Sequence, residues 1–258
     1  MAEAAIRVER RGGVVRITLD RPPLNLLEPG LIASLRSTFE TLAADPTVRL
    51  AVVTGAGRAF TGGMDVRVLR DLDAAGATAL ITALHDAIEA VHRAPFPVIA
   101  AVNGHALGAG FELALACDLR VAAAEATLGL PEVRVGVPSV IQAALLPPLV
   151  GPGRASELLL TGTTISAEQA LAWGLINRIV DRAGLEAAVD TMVGAITACA
   201  PGAVRLQKQL IVRWRESDLP AAVRAGISAF AASYATGEPR EGAAAFLERR
   251  APRFEEPR

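Results

Sequence analysis

Two apolar runs, RLAVVTG (49–55) and VIAAVNG (98–104), end in glycine, and each is followed by a glycine-bearing loop that leads into a helix. Short continuous apolar runs bounded by turn residues read as strands buried on both faces. A third such run, CDLRVAA (117–123), follows the second helix. The first half of the chain therefore reads β-α-β-α-β, an α/β core with no fixed short repeat.

The flanking segments agree with that core. Residues 5–10 and 14–20 are β-branched and enclose Gly12-Gly13, a β-hairpin signal. RPPLN (21–25) breaks the sheet, and Leu31, Leu35, Phe39 and Leu42 recur at helical spacing between Pro29 and Ala44. Amphipathic stretches continue to His92. Pro147, Pro148 and Pro152 interrupt the second half, and Ser166 before Glu168-Gln169 is a helix-start signal. Residues 184–249 carry no strand signal and read as three or four amphipathic helices. We divide the chain into an α/β core, 1–190, and a helical C-terminal part, 191–258.

Composition excludes several classes. With 258 residues, 52% of them hydrophobic and 21% charged, the chain can bury a large core. A net charge of −1 lacks the basic footprint of a dedicated nucleic-acid binder. Arg240, Arg249, Arg250, Arg253 and Arg258 gather near the C-terminus among glutamates, as on a solvated helix end. Cys117 and Cys199, without a CxxC, predict neither a disulfide framework nor zinc, and both are expected as small buried hydrophobes. The start MAEAAIRVERR lacks a signal-peptide core, and no apolar run approaches the ~20 residues of a membrane span. A reducing cytoplasm is the expected compartment.

Familiar catalytic motifs are absent or broken. Gly55 and Gly57 begin a dinucleotide-like loop, but Phe60 stands where the third glycine belongs. Within the 57–63 run Gly57 and Gly62 have the glycine spacing of a phosphate loop, but Gly63-Met64 stands where Lys-Ser/Thr is required. There is no GxSxG elbow and no HExxH; His85, His92 and His105 suggest no metal site.

Chemistry concentrates in the two loops, RAFTGGMD (58–65) and NGHALGAGFEL (103–113). Loops of this kind expose backbone N–H groups at helix starts, and two facing each other could form an oxyanion hole. Glu112 lies in the first helical turn after the second loop, and Pro131-Glu132 ends a short extended segment twenty residues on. Read without further context, Glu112 is a helix-start glutamate stabilised by the dipole and Glu132 a turn glutamate.

The succession RPPLN, VTGAGRAFTGGMDV, APFPVIAAVNGHALGAGFELALACDLRVA, LGLPEVRVGVP and ELLLTGTTISAEQALAWGLINRIV resembles the enoyl-CoA hydratase/isomerase (crotonase) superfamily. The resemblance runs in order from about residue 6 to EGAAAFLERRAPRF (241–254). It implies a spiral of ββα units followed by a helical trimerisation region, and an acyl-CoA thioester substrate whose enolate is stabilised by two N–H groups. Transferred by motif, these belong to Met64 and Ala109, where the family usually has Ala and Gly. The hydratase glutamates match Glu112 and Glu132: the first deprotonates the water that adds at the β-carbon, the second protonates the α-carbon. The helix start favours an ionised Glu112, and two close carboxylates would titrate apart, in an order the sequence leaves open. Ser139 matches a position whose backbone N–H helps place the water.

For CoA, the resemblance implies contacts from Arg58, Ala59, Gly62 and Asp65, with Asp65 also capping its loop. Phe230 and Arg249 match an aromatic and a basic residue of a C-terminal helix, sometimes from a neighbouring subunit; a core Phe and a surface Arg are the plain alternative. No cofactor beyond the substrate's CoA and no metal is implied, and a homotrimer or hexamer is. SVIQAALLPPLVG (139–151) departs from the family's usual Gly-rich run and is expected to border the acyl pocket. Retention of both glutamates favours hydration. The alternatives are an isomerase using Glu132 alone, another acyl-CoA lyase or hydrolase, or a non-catalytic binder such as an RNA binder. Both glutamates argue against a dead enzyme and the near-neutral charge against RNA.

Overall fold

The structure is a computed structural model that describes residues 5–254. It opens with β1 (Ile6–Arg11) and β2 (Val14–Leu19), an antiparallel hairpin turning at Gly12-Gly13. Gly12 has φ +57°, a conformation a two-residue hairpin turn requires and glycine adopts without strain. Helix α1 (Pro29–Ala44) follows, with Leu31, Ile32, Leu35, Phe39 and Leu42 buried along one face.

Three strand pairs then spiral upward. They are β3 (Leu50–Gly55) with β4 (Ala59–Thr61), β5 (Val98–Val102) with β6 (His105–Leu107), and β7 (Leu119–Ala123) with β8 (Thr127–Gly129). Between the first and second pairs lie α2 (Val66–Leu69) and α3 (Ala74–His92); between the second and third lies α4 (Ala109–Ala116). The first member of each pair enters a six-stranded sheet ordered β1-β2-β3-β5-β7-β10, and the second enters a four-stranded sheet ordered β4-β6-β8-β9. This is a ββα spiral, and the crossovers make β2, β3, β5, β7 and β10 parallel.

After a 3-10 turn, Pro131–Val135, and another, Gln142–Leu145, come α5 (Leu146–Val150), α6 (Pro152–Thr161), β9 (Thr164–Ser166), α7 (Ala167–Ala172) and β10 (Arg178–Val180). Ser166 and Gln169 form a full capping box at the start of α7, as the helix-start signal requires. The chain closes with α8 (Leu185–Thr197), α9 (Pro201–Arg215), α10 (Leu219–Ser233) and α11 (Glu238–Leu247). Residue 190 falls within α8, whose Leu185 and Val189 bury against Leu50, Val52, Ile99 and Val121 of the large sheet.

Five short strands, β4, β6, β8, β9 and β10, are additional to the β-α-β-α-β reading. Each has only three residues, too few to display a period of two.

Helix α4 controls the site. All eight of its residues are buried, so it is apolar on every face except at Glu112. Eight residues do not sustain a helix in water. Here burial does, at roughly 1.5–3 kcal/mol for each large side chain such as Phe111 and Leu113. Its C-terminal end is satisfied by the buried Arg120, which donates to the Ala114 and Cys117 carbonyls at 3.0 and 2.6 Å.

Cys117 is buried, and burial pushes its thiol up to about 12. Cys199 is exposed, contrary to the expectation of two buried cysteines, because it sits beyond the end of α8 where little packs over it. Among the C-terminal arginines, Arg250 pairs with Glu241 and Glu248; Arg258 lies outside the described residues. No single helix among the described residues is long and apolar enough to cross a membrane.

Candidate active site

The site is built where the first two turns of the spiral touch. Two buried asparagines hold the incoming chain. Asn25 Nδ2 donates to the Ala56 and Ala59 carbonyls, both at 2.9 Å, and Asn103 Nδ2 donates to Gly55 and Gly57 at 2.9 and 3.0 Å. At Gly63 (φ +85°) a β-carbon would lie 2.4 Å from the Leu107 oxygen and 3.4 Å from the Ala109 nitrogen. Only glycine permits that approach, which brings the loop after β4 against the start of α4.

The approach places Met64 and Ala109 on one cavity. Ala109 is the first residue of α4, so its N–H has no helical acceptor. Met64 bridges Leu27 through the Gly63 carbonyl, which accepts from Leu27 N at 2.9 Å; this leaves the Met64 N–H without an acceptor among the described residues. Asp65 then caps α2, accepting from Arg67 N at 2.9 Å, and the Arg67 guanidinium holds its carboxyl below the usual range.

Glu112 and Glu132 face the same cavity. Glu112 is only 3% exposed, and its Oε1 accepts from the Ala143 N–H at 3.1 Å. The Val140 N–H faces it too. Glu132 sits at the start of the Pro131–Val135 turn, and its Oε2 accepts from the Ser139 hydroxyl at 2.6 Å. Its other oxygen packs on Gly108, immediately before Ala109.

Burial, then the charge of Glu132, push Glu112 up to about 8, against the opposing pull of the Ala143 and Val140 amides. Burial thus draws Glu112 toward its protonated form, against the pull of the helix start. A helix N-terminus favours a carboxylate by about 0.3–1 kcal/mol, less than one pKa unit at about 1.36 kcal/mol. Removing the carboxylate from water outweighs that.

The cavity holds about 270 Å³. Its wall beyond the carboxylates is hydrocarbon: Leu69 at the end of α2 and Leu72 after it, and Ala77, Leu80, Ile81 and Leu84 on one face of α3. Thr78 also lines it, with its hydroxyl already donated to the Ala74 carbonyl at 2.9 Å. From the divergent 139–151 stretch only Ser139 and Val140 reach the cavity, beside Val137 and Pro138. Leu146 turns into the core, and the Gln142 amide nitrogen approaches Glu89 Oε2 and His85 Nδ1 at 3.0 and 3.2 Å.

The residues expected to contact CoA separate into two places. Arg58 is exposed just before β4, Ala59 and Asp65 are buried, and Gly62 is half-buried. Phe230, 68% exposed on α10, packs edge-on against Tyr234, and Arg249 is exposed after α11; neither lines the cavity. Phe230 is thus not a core residue of this chain. Sequence reasoning also missed the α3 wall, although its 77–80–81–84 spacing was visible, and the Val140 and Ala143 amides, which leave no side-chain signal. Ser139 meets Glu132 through its hydroxyl, and the amides that face Glu112 lie one and four residues further on.

A family model described as enoyl-CoA hydratase/isomerase matches residues 9–257. The crotonyl-CoA hydratase of Syntrophomonas wolfei subsp. wolfei is 36% identical over 260 residues, covering 98% of this chain and 99% of its own. The carnitinyl-CoA dehydratase of Salmonella typhi is 34% identical, over 96% of this chain and 97% of its own. A solved enoyl-CoA hydratase from Mycobacterium smegmatis superimposes with a TM-score of 0.95 at 34% identity, covering 98% and 99% of the two chains.

Proposed function

The chain belongs to the enoyl-CoA hydratase/isomerase family, and from that premise we propose that it adds water across the 2,3 double bond of a trans-2-enoyl-CoA. The observation that carries this reading is the pair Glu112 and Glu132 on one cavity, beside two free backbone N–H groups. An isomerase needs only one carboxylate; hydration needs a base for the water and an acid for the α-carbon.

The Met64 and Ala109 N–H groups receive the thioester oxygen. Each such donor stabilises the enolate-like transition state by about 3–4 kcal/mol. Glu132 abuts Gly108, next to the Ala109 donor, so it stands at the carbonyl end of the substrate and serves the α-carbon. Glu112, held by the Ala143 amide, serves the water that attacks the β-carbon.

The pair works with one proton. In the resting site burial keeps that proton on Glu112. The reactive tautomer carries it on Glu132 and has the same net charge. Glu112 then takes a proton from water as the C–O bond forms at the β-carbon, and Glu132 protonates the α-carbon as the enolate collapses. The product is a 3-hydroxyacyl-CoA, and no cofactor beyond the CoA of the substrate enters the scheme.

Arg58, Ala59, Gly62 and Asp65 form the CoA side of the entrance in this reading. Phe230 and Arg249 complete it from a neighbouring subunit. The exposed Leu219, Val223, Ile227 and Phe230 on α10 support assembly into a homotrimer or hexamer through the helical region from 191 onward, with the core up to 190 carrying the chemistry. Free Cys117 and Cys199 suit a reducing cytoplasm.

The test is to mix the protein with trans-2-enoyl-CoA thioesters and follow loss of the conjugated-thioester absorbance. Formation of 3-hydroxyacyl-CoA is expected. Rearrangement of 3-enoyl-CoA without any hydration of 2-enoyl-CoA would replace this reading with the isomerase one.

A further inference from the structure

Resting on the hydratase reading, we propose that the preferred acyl group is an unsubstituted hydrocarbon of about six to ten carbons, laid along α3. The side chains that line the cavity beyond the carboxylates supply no free hydrogen-bond donor. Thr78 has spent its hydroxyl on Ala74, and the charged residues of the neighbouring segment, Arg70 and Asp71, pair with each other in solvent. A carboxylate set on the tail beside Leu84 and Ile81 would lose its water and find no donor to bond.

Size and direction follow from the same wall. Leu84 is 1% exposed and lines the cavity with Glu112, whereas Ala77 and Thr78 are exposed at the other end of the α3 face. From residue 84 to residue 77 a helix rises about 10 Å. A tail leaving the reacting carbons at Glu112 runs outward past Leu84 and Ile81 toward Ala77, with Leu72 opposing it from the α2 side. The cavity of about 270 Å³ is shared between the reacting carbons at Glu112 and Glu132 and the tail that follows α3. A four-carbon crotonyl group would leave most of this apolar wall uncovered.

The test compares kcat/KM for trans-2-enoyl-CoA substrates of four, six, eight and ten carbons with that for glutaconyl-CoA, whose tail ends in a carboxylate. We expect roughly a tenfold rise for each two carbons up to eight, from the burial of two methylenes, and glutaconyl-CoA at least 100-fold below the six-carbon substrate. Crotonyl-CoA matching the eight-carbon substrate, or glutaconyl-CoA matching the six-carbon one, overturns the proposal. Ala77→Phe, at an exposed position, is expected to lower the eight-to-four-carbon ratio at least tenfold; an unchanged ratio means the tail does not follow α3. If no 2-enoyl-CoA is hydrated, the hydratase reading fails and calorimetry still decides the tail. Octanoyl-CoA binding at least tenfold more tightly than acetyl-CoA supports it, and equal binding overturns it.

Discussion

Gly108 stands so close to Glu132 that a β-carbon on it would lie 2.6 Å from the Glu132 Oε1. Gly108 also has φ +54° and ψ −129°, a conformation side chains avoid. One residue thus sets both the start of α4 and the position of a carboxylate. Gly108→Ala is expected to displace Glu132 and the Ala109 N–H together. We predict a loss of kcat of about 10²-fold or more from the misplacement, with about 1–3 kcal/mol of destabilisation from the backbone strain. Steady-state kinetics beside a thermal melt separates the two; unchanged kcat would remove Gly108 from the site.

Glu112→Gln and Glu132→Gln are each expected to lower the hydration kcat by about 10²–10⁴-fold. The double variant should lose less than the product of the two, because the pair acts as one unit. Single and double variants on one substrate provide the measurement, and full multiplicativity would mean independent roles.

Activity should fall as pH rises through about 8, where Glu112 gives up the proton on which the reaction draws. Stability carries the same signature. The folded state holds the Glu112 proton more tightly than the unfolded chain, whose carboxyl titrates near its ordinary value of 4.5. The associated stabilisation is therefore complete below pH 4.5 and declines until about pH 8. Glu112→Gln should flatten that decline, so its melting temperature relative to the parent rises by several degrees between pH 5 and pH 9. Parallel melts across that range check it.

Ser139→Ala removes the hydroxyl that donates to Glu132 at 2.6 Å. With Glu132 as the protonated acid of the reactive form, such a hydrogen bond is worth about 0.5–1.5 kcal/mol. We expect kcat to fall by up to about tenfold with KM little changed, because Ser139 orients the acid without holding the CoA. Ser139→Thr should restore part of the loss.

Lys208 on α9 makes a buried ion pair with Asp118, at 2.7 and 2.9 Å, and Asp118 Oδ2 also accepts the Val98 N–H at 2.8 Å. The lysine side chain is 2% exposed. Lys208→Ala should destabilise the fold by about 3–5 kcal/mol, since it leaves a carboxylate buried without its partner. Denaturant titration measures this, and a change under 1 kcal/mol would mean that solvent reaches Asp118.

Element types were legible in the sequence because their signals are short-ranged. Leu31, Leu35, Phe39 and Leu42 repeat within one helix, Gly12-Gly13 turns one hairpin, and Ser166 caps one helix with Gln169 three residues away. The glycine loops and Glu112 and Glu132 were legible for the same reason, each sitting in a distinctive local string. The α3 wall was not, because a helical stripe reads alike whether it faces the core or a cavity, and only packing against the residues after α2 and against α4 leaves that face open. The Ser139 hydroxyl on Glu132 and the amides facing Glu112 depend on how the 139–151 stretch folds back over α4. The protonation of Glu112 was not decided by the sequence alone. A local helix dipole favoured the ion, but the decisive quantity was loss of water around the carboxyl, and that is set by side chains from Met64 to Ala143, brought together only by the tertiary fold.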